Sequence, residues 1–349
     1  MKIIYQIPYI NTVYAGRFIY EGYRDAFTKL GHELVPLTSN QTLRDLNENF
    51  HADILLTSLH VYTLKFLNLS DLKRYRDAGL FVLSAIPSWN SNHTVHTTDC
   101  LKKQTKLVNL LKSGDFADVC HNIYEEDCNF MAGFTRETGI PFETILLAAD
   151  SNKYKYKYDE NYACDISYVG HYLPEKREFI KKQVIPLMKK YDVKIYGCDW
   201  TPQDRFLGLI QKGAQFINFE PLKGLRKVPV YDDNIVYSSS TINLNFHGDY
   251  QVKYGSDINE RTFKIPCSGG FEICDNVKII RNYFSPKELV IAENSDDWFD
   301  KIDYYLKNPE KRIPIINAGR KKVLKDHTYL NRAKQIIEIY EKNKRKKIL

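Results

Sequence analysis

The segment Asp165-Ile-Ser-Tyr-Val-Gly-His-Tyr-Leu-Pro-Glu-Lys-Arg177 decides how this chain is read. Asp165 to Val169 predicts a strand that stops at Gly170. A short loop follows, and Pro174 stands where a helix should begin, since its fixed φ and missing N–H suit a first turn. The helix is predicted over Glu175 to Tyr191 and the next strand over Val193 to Tyr196. Strand, crossover helix and strand make the unit of a doubly wound parallel sheet. Free N–H groups at the helix start favour an anion, and Arg177 in the first turn can fork onto two phosphate oxygens. Neither GxGxxG nor Walker spacing is present, which disfavours ordinary dinucleotide enzymes and P-loop NTPases.

The same alternation extends in both directions. Before it, strands are predicted at Lys2–Ile7, Glu33–Leu37, Asp53–Thr57, Leu80–Ile86, Phe116–Cys120 and Glu143–Leu147. Helices fall at Gly16–Leu30, closed by Gly31, and near Leu64–Arg76 and Asp99–Leu111. After it come strands at Thr241–Asn245, Phe271–Cys274 and Glu288–Ile291, then helices near Asp296–Lys307 and Tyr329–Lys342. Such Ile/Leu/Val runs between helices imply α/β architecture with parallel sheets covered on both faces. The polar stretch Asp150 to Tyr162 reads as an interdomain linker. The predicted division is 1–155, an acceptor-side domain; 156–327, a ligand-binding domain; and 328–349, a helix with a basic tail. Two doubly wound domains would face one another across a cleft where ligands bind.

Composition bounds the rest. The chain has 349 residues, 43% hydrophobic and 27% charged, which excludes disorder and fits two domains. The net charge of +7 lies mainly in the second half, much of it in the C-terminal run Lys342, Lys344, Arg345, Lys346 and Lys347. That run reads as a solvated helix end or as a contact for nucleic acid or an anionic membrane. Seven cysteines without a CxxC pair argue against a disulfide framework or structural zinc. The N-terminus is too polar for a signal peptide, and no stretch reads as an integral membrane segment, so a soluble, cytoplasmic protein is expected.

Further constellations carry chemistry. Tyr196-Gly197-Cys198-Asp199-Trp200 ends a strand in glycine beside an aromatic, where a planar base can lie. Asn259-Glu-Arg-Thr-Phe-Lys-Ile-Pro-Cys-Ser-Gly-Gly-Phe271 predicts a short helix with Arg261 and Lys264 on one face. Its end, Ser268-Gly269-Gly270, would let backbone approach a ligand closely. Two cations beside such a turn fit a diphosphate. Among histidines, His93 and His96 follow the fourth strand and are candidate bases, and His247 after Asn243-Leu-Asn-Phe is a further site candidate. His171 and Tyr172 belong to the loop after Gly170. No metal cluster is read: the histidines are dispersed, and Asp232-Asp233 and Asp296-Asp297 look like helix starts.

These residues resemble the CgeB-like, spore-maturation branch of the GT-B glycosyltransferases, related to glycosyltransferase group 1. The resemblance runs from about Asp165 to Ile336 and includes Tyr196 to Trp200, Arg261 to Gly270, Trp298 to Arg312 and Asp326 to Arg332. It implies two Rossmann-like domains, with a nucleotide-sugar donor bound by the second. The donor residues would be Gly170, His171, Tyr172, Arg177, Gly197, Trp200, His247, Arg261, Lys264, Ser268, Gly269 and Gly270. It implies transfer with no bound metal and no cofactor beyond the donor itself. Related enzymes often hold the ribose with a Glu where Lys264 stands, so Lys264 would serve phosphate instead. The expected acceptor is a hydroxyl of a glycan or small molecule. The alternatives are DNA carrying a hydroxymethylated base, as in phage DNA glucosyltransferases, and a non-catalytic nucleotide-sugar-binding protein. Lys65, Lys73, Arg74, Arg76, Lys102, Lys103 and Lys106 would have to gather on one rim for DNA to be the acceptor.

Overall fold

A computed structural model describes residues 1–10, 15–90, 100–223 and 232–348. Among them, the strands form two all-parallel sheets. The first contains β1 Lys2–Gln6, β2 Glu33–Leu37, β3 Ile54–Ser58, β4 Phe81–Ala85, β5 Val119–Asn122 and β6 Phe142–Thr144, in the order β2-β1-β3-β4-β5-β6. The second contains β7 Cys164–Val169, β8 Val193–Tyr196, β9 Ser240–Asn245, β10 Glu272–Asp275 and β11 Val290–Ala292, in the order β11-β10-β9-β7-β8. In the second sheet the chain runs from β7 out to the edge strand β8 and then returns to the other side of β7. The strand order therefore reverses between β7 and β9, and a crevice opens at their carboxyl ends.

The doubly wound reading is thus what the backbone adopts, with boundaries shifted by a few residues. Three predicted helices do not form as units. Leu64–Arg76 becomes Val61–Leu64 and Leu69–Asp77. The described part of Asp99–Leu111 becomes a 3₁₀ turn at Leu101–Lys103 and the helix Thr105–Lys112. The third breaks up further. Glu175–Tyr191 is a 3₁₀ turn at Pro174–Lys176, a helical turn at Arg177–Phe179, a π turn at Ile180–Val184 and a 3₁₀ turn at Leu187–Lys189. Pro186 supplies no N–H, and Ile185 bonds back to the Ile180 carbonyl instead. Several helices escaped the sequence reading, the 18-residue Pro309–Asp326 among them. Leu43–Phe50 is fixed by a capping box between Thr42 and Asp45, and Pro202–Phe216 follows β8. Asp233 and the pair Asp296–Asp297 do fall in first helical turns, as read.

The domain boundaries move for physical reasons. The chain forms two compact units, one of 1–146, 213–224 and 330–349, the other of 147–212 and 225–329. Asp150 to Tyr162 is not a linker but part of the second unit. Tyr154 is buried in its core beside Phe263 and Ile265. The Lys157 and Asp159 amides donate to Ser238 and Ser239 at 3.1 and 2.9 Å. The C-terminal helix Tyr329–Ile348 joins the first unit rather than standing apart. Arg332 and Gln335 donate to the carbonyls of Leu146 and Thr144, and the Tyr340 ring meets Phe81 edge-on at 5.4 Å.

Alternation along β9 sorts the second sheet into two unlike faces. Ile242, Leu244 and Phe246 join Ile166, Tyr168 and Ile273 in an apolar core on one side. Asn243 and Asn245 point to the other, where Ser167 and Glu272 are also buried. The helix Arg261–Cys267 is the end of the crossover that leads into β10. Ser167 donates to Asn243 at 2.9 Å, and Asn245 donates to Thr262 and Glu272 at 2.9 and 2.6 Å. A polar seam therefore runs through this sheet with its hydrogen bonds largely satisfied.

Candidate functional site

The crevice at the carboxyl ends of β7 and β9 is closed underneath by Arg261. Its Nε donates to Asn245 Oδ1 at 3.1 Å, Nη1 to Tyr168 Oη at 3.1 Å and to the Val169 carbonyl at 2.9 Å, and Nη2 to the Phe246 carbonyl at 2.8 Å. Four of the five guanidinium N–H groups are thereby spent on the sheet, leaving one on Nη2 for a ligand. Arg261 is a clamp between two strands first and an anion contact second. Gly170 is glycine because a Cβ there would lie 2.3 Å from Tyr168 Oη and 2.4 Å from Arg261 Nη1. Gly197 faces it: a Cβ would stand 1.9 Å from the Gly170 carbonyl oxygen.

The loop around Gly170 is held from β8. Trp200 Nε1 donates to the Gly170 carbonyl at 2.9 Å, and the Cys198 amide donates to His171 Nδ1 at 3.1 Å. Trp200 packs on Tyr172 at 4.9 Å and against Tyr168 at 6.1 Å between centroids. Arg177 lies over the Tyr172 ring at 5.2 Å, with its Nε buried and unpaired. These side chains cluster as the sequence suggested. Trp200 and His171, however, are engaged with backbone.

A cation that sequence reasoning passed over occupies the same crevice. Lys176 Nζ lies 5.8 Å from the Phe246 ring centroid and has no hydrogen-bond partner among the described residues. Burial holds its pKa well below the usual lysine value, and Arg261 adds to the effect, against Asp275 and Glu175. An anion placed there would relieve both penalties. The signal was available in the same Pro-Glu-Lys-Arg run, but the forked guanidinium drew attention to Arg177 instead.

His247 sits at the end of β9 against Asp275 at the end of β10. Its amide donates to Asp275 Oδ2 at 2.8 Å, and Nδ1 meets Oδ1 at 2.6 Å. Burial lowers the imidazole pKa, opposed by Asp275 and reinforced by Arg261 and Lys176. The neutral ring thus carries its proton on Nδ1 toward Asp275, leaving a buried Nε2 without a partner. Beneath it, burial pushes Glu272 up to about 8, against Asn245 and Arg261. Asp275, Glu272 and Asn245 went unread because a carboxylate or amide inside a strand usually marks a solvent face.

Two expectations change. Arg261 and Lys264 do not converge on one ligand. Lys264 is buried, its Nζ 2.7 Å from Glu260 Oε2, and Glu260 accepts from Tyr329 at 2.6 Å as well. A lysine at that depth takes the carboxylate within reach, one turn before it on the same helix. The turn Ser268-Gly269-Gly270 lies at the opposite end of this helix from Arg261 and is explained by packing. Ser268 is buried with its hydroxyl on the Lys264 carbonyl, and a Cβ at Gly270 would stand 2.6 Å from the Tyr237 carbonyl oxygen. Gly269 adopts φ +75° beneath Tyr156. His93 and His96 lie outside the described residues. Among the described residues no group of three His, Cys, Asp or Glu is placed to hold a metal.

Residues 176–338, just under half the chain, match a family model described as glycosyl transferase-like. No curated protein sequence matches the chain. Among solved structures, a glycosyltransferase from Rickettsia africae is similar with a TM-score of 0.63 at 12% identity, covering 98% of each chain. The Anabaena protein HepE in complex with UDP-glucose gives 0.59 at 12% identity over 98% of this chain and 100% of that one. An alpha-glucosyltransferase in complex with UDP-glucose and DNA containing an abasic site gives 0.62 at 13% identity, covering 97% and 99%. The two-sheet architecture is therefore that of the GT-B glycosyltransferases.

Proposed function

We propose that the chain is a glycosyltransferase whose second unit holds a nucleoside-diphosphate sugar at the carboxyl ends of β7 and β9. The observation that carries this reading is Lys176, a half-buried cation without an anionic hydrogen-bond partner, beside Arg261 at the switch point of a parallel sheet. When the bond from the anomeric carbon to the phosphate oxygen breaks, negative charge develops on the leaving diphosphate. Lys176, the remaining N–H of Arg261 and Arg177 are the groups to neutralise it, and they would do so without a metal ion. The acceptor oxygen bonds to the anomeric carbon as the bond to phosphate breaks, and the hydroxyl proton passes to the leaving diphosphate or to water. The matching family model and the UDP-glucose bound by similar structures support this choice of donor.

A glycan or small hydroxyl compound is favoured as the acceptor over DNA. The alpha-glucosyltransferase structure with DNA keeps the second reading in play. In this chain, however, four of the seven cations that would have to gather are already paired with carboxylates. Lys73 meets Asp115, Arg74 meets Glu48 at 3.6 Å, Arg76 meets Asp118 at 3.0 Å and Lys102 meets Glu137 at 2.7 Å. Cations already held by carboxylates must give up those partners before they can neutralise a phosphate backbone.

The test is titration with UDP, GDP and dTDP, followed by donor hydrolysis with the matching sugar nucleotides, with and without EDTA. One nucleoside diphosphate should bind and its sugar form turn over, undiminished by EDTA. Binding that requires manganese would replace the metal-free mechanism. No binding by any of the three would overturn the reading.

A further inference from the structure

Within the second unit, a cavity of about 320 Å³ lies at the carboxyl ends of β10 and β11. That is at the small end of the usual range for ligand pockets. Phe179 and Trp298 give it an apolar wall, their rings edge to face at 5.1 Å. Trp298 is 2% exposed, and its Nε1–H is buried with no hydrogen-bond partner among the described residues. An indole N–H can only donate, so a buried one calls for an acceptor. Asn294 stands at the same wall as the cap of the helix Ser295–Lys307. Its Oδ1 accepts from the Asp296 and Asp297 amides at 3.0 Å. Its side-chain N–H groups are left without a partner among the described residues.

The carboxylates on this wall are not equivalent. Asp275 holds His247, and Glu293 is taken by Arg281 at 2.6 Å and by Asn276 at 2.7 Å. Asp249 has no hydrogen-bond partner among the described residues. Burial raises its pKa, and Glu175, Glu178 and Asp275 add to the effect. Lys253 is the one cation among the described residues of the wall, while Lys278 and Arg281 line a neighbouring hollow. The free groups therefore ask for an acceptor at Trp298 and Asn294 and for a donor at Asp249. An anion brings acceptors alone and is repelled by Asp249. An ammonium group brings donors alone and leaves the indole unpaired. A hydroxyl is both donor and acceptor, and a sugar ring carries several around a C–H face that suits Phe179.

We propose that this cavity is a saccharide subsite, holding one neutral sugar ring by hydrogen bonds to Trp298, Asn294 and Asp249. The ring belongs to a glycan or to the donor nucleotide. In the first case the subsite stands apart from the reading of the crevice, and in the second it rests on it. The chain has three tryptophans, so isotope-labelled protein gives three indole N–H resonances, and Trp298→Phe identifies the relevant one. The titrants are free glucose, galactose, mannose and N-acetylglucosamine, short oligosaccharides of each, and UDP, GDP and dTDP with and without their sugars. At least one saccharide should move the Trp298 resonance at millimolar concentration. Asp249→Asn should weaken that binding by about tenfold, the loss of one charged hydrogen bond. Lys253→Gln should leave it unchanged. Both side chains are exposed, and thermal unfolding checks that the fold is kept. Movement by a free sugar or oligosaccharide assigns the ring to a glycan. Movement by a nucleotide sugar, but by neither its free sugar nor its diphosphate, assigns it to the donor. The proposal is overturned if a diphosphate alone moves Trp298 as far as its sugar form, if Asp249→Asn binds like the parent, or if Lys253→Gln abolishes binding. A silent Trp298 with every saccharide, while a nucleoside diphosphate still binds elsewhere, overturns the subsite and leaves the crevice reading intact.

Discussion

The two sheets have the same design and opposite chemistry. In the first, the amides and hydroxyls toward the carboxyl ends satisfy one another, and the imidazole beside them, His121, is held neutral with its Nδ1 buried and unpaired. Gln6 donates to the Thr63 carbonyl at 3.0 Å and accepts from Thr57, while Asn122 donates to the Ile86 carbonyl. In the second, the corresponding end gathers Arg261, Lys176, His247 and Asp275, with Glu272 beneath. The first sheet spends its polar groups on holding itself together. The second keeps ionisable groups desolvated and incompletely paired, a cost to stability that a functional site justifies.

The largest effect should come from Arg261, where structure and site coincide. Arg261→Ala leaves the Val169 and Phe246 carbonyls without their guanidinium donors and loosens β7 from β9. A loss of about 3–5 kcal/mol in urea unfolding is expected, together with loss of nucleotide binding. Arg261→Lys should recover little, because one ammonium cannot span four acceptors. A stable Arg261→Ala protein would show that the clamp is not what joins these strands.

Glu272 gives the next effect, through pH. Its folded-state pKa of about 8 stands above the ordinary glutamate value, so between these values the folded protein holds a proton that the unfolded chain has released. Stability from this group is therefore fully present below the ordinary value and is lost as pH rises through about 8. The decline from acid to mildly alkaline pH should reach about 5 kcal/mol at most, and Glu272→Gln should flatten it. His121, its buried counterpart in the first sheet, works in the other direction. Burial lowers its pKa to about 4, so its contribution is lost as pH falls through that value. A pH–stability profile unchanged by Glu272→Gln would remove the charge asymmetry between the sheets.

How much of this was legible differs between the same two regions. Apolar runs and Gly/Pro punctuation suffice for the strands, because a parallel strand buried on both faces must be continuously apolar. Where the second sheet departs from that rule, the reading misled. Thr241-Ile-Asn-Leu-Asn looks half-exposed, yet Asn243 and Asn245 are buried and form the seam beneath Arg261. The Ser-Gly-Gly turn looked like a ligand loop, but close approach of backbone to backbone requires the same small residues as close approach to a ligand. Lys264 shows the remaining limit: shared helical spacing with Arg261 says nothing about which of the two finds a carboxylate first.

Lys176→Ala separates binding from stability. It should weaken nucleoside-diphosphate binding by roughly 10- to 100-fold, the usual worth of one charged hydrogen bond. Folding stability should hold or rise slightly, because the alanine removes a half-buried charge with no hydrogen-bonding carboxylate. Calorimetric titration and thermal unfolding on the same samples read both. Equal losses in each would make Lys176 a structural residue and shift the diphosphate contact to Arg177.

The smallest effect belongs to the first sheet and is the control for the others. Gln6→Leu removes the amide that joins Thr57 to the Thr63 carbonyl, while keeping most of the side-chain volume in the core. Both lost bonds are between neutral groups, each worth about 1 kcal/mol net, and the leucine regains part of that by apolar burial. Unfolding should shift by about 1 kcal/mol, with nucleoside-diphosphate affinity unchanged. The pH profile should keep its shape, since no titrating group is touched. If Gln6→Leu instead weakens nucleotide binding as Lys176→Ala does, the first sheet is not a neutral scaffold, and the division of labour between the two sheets fails.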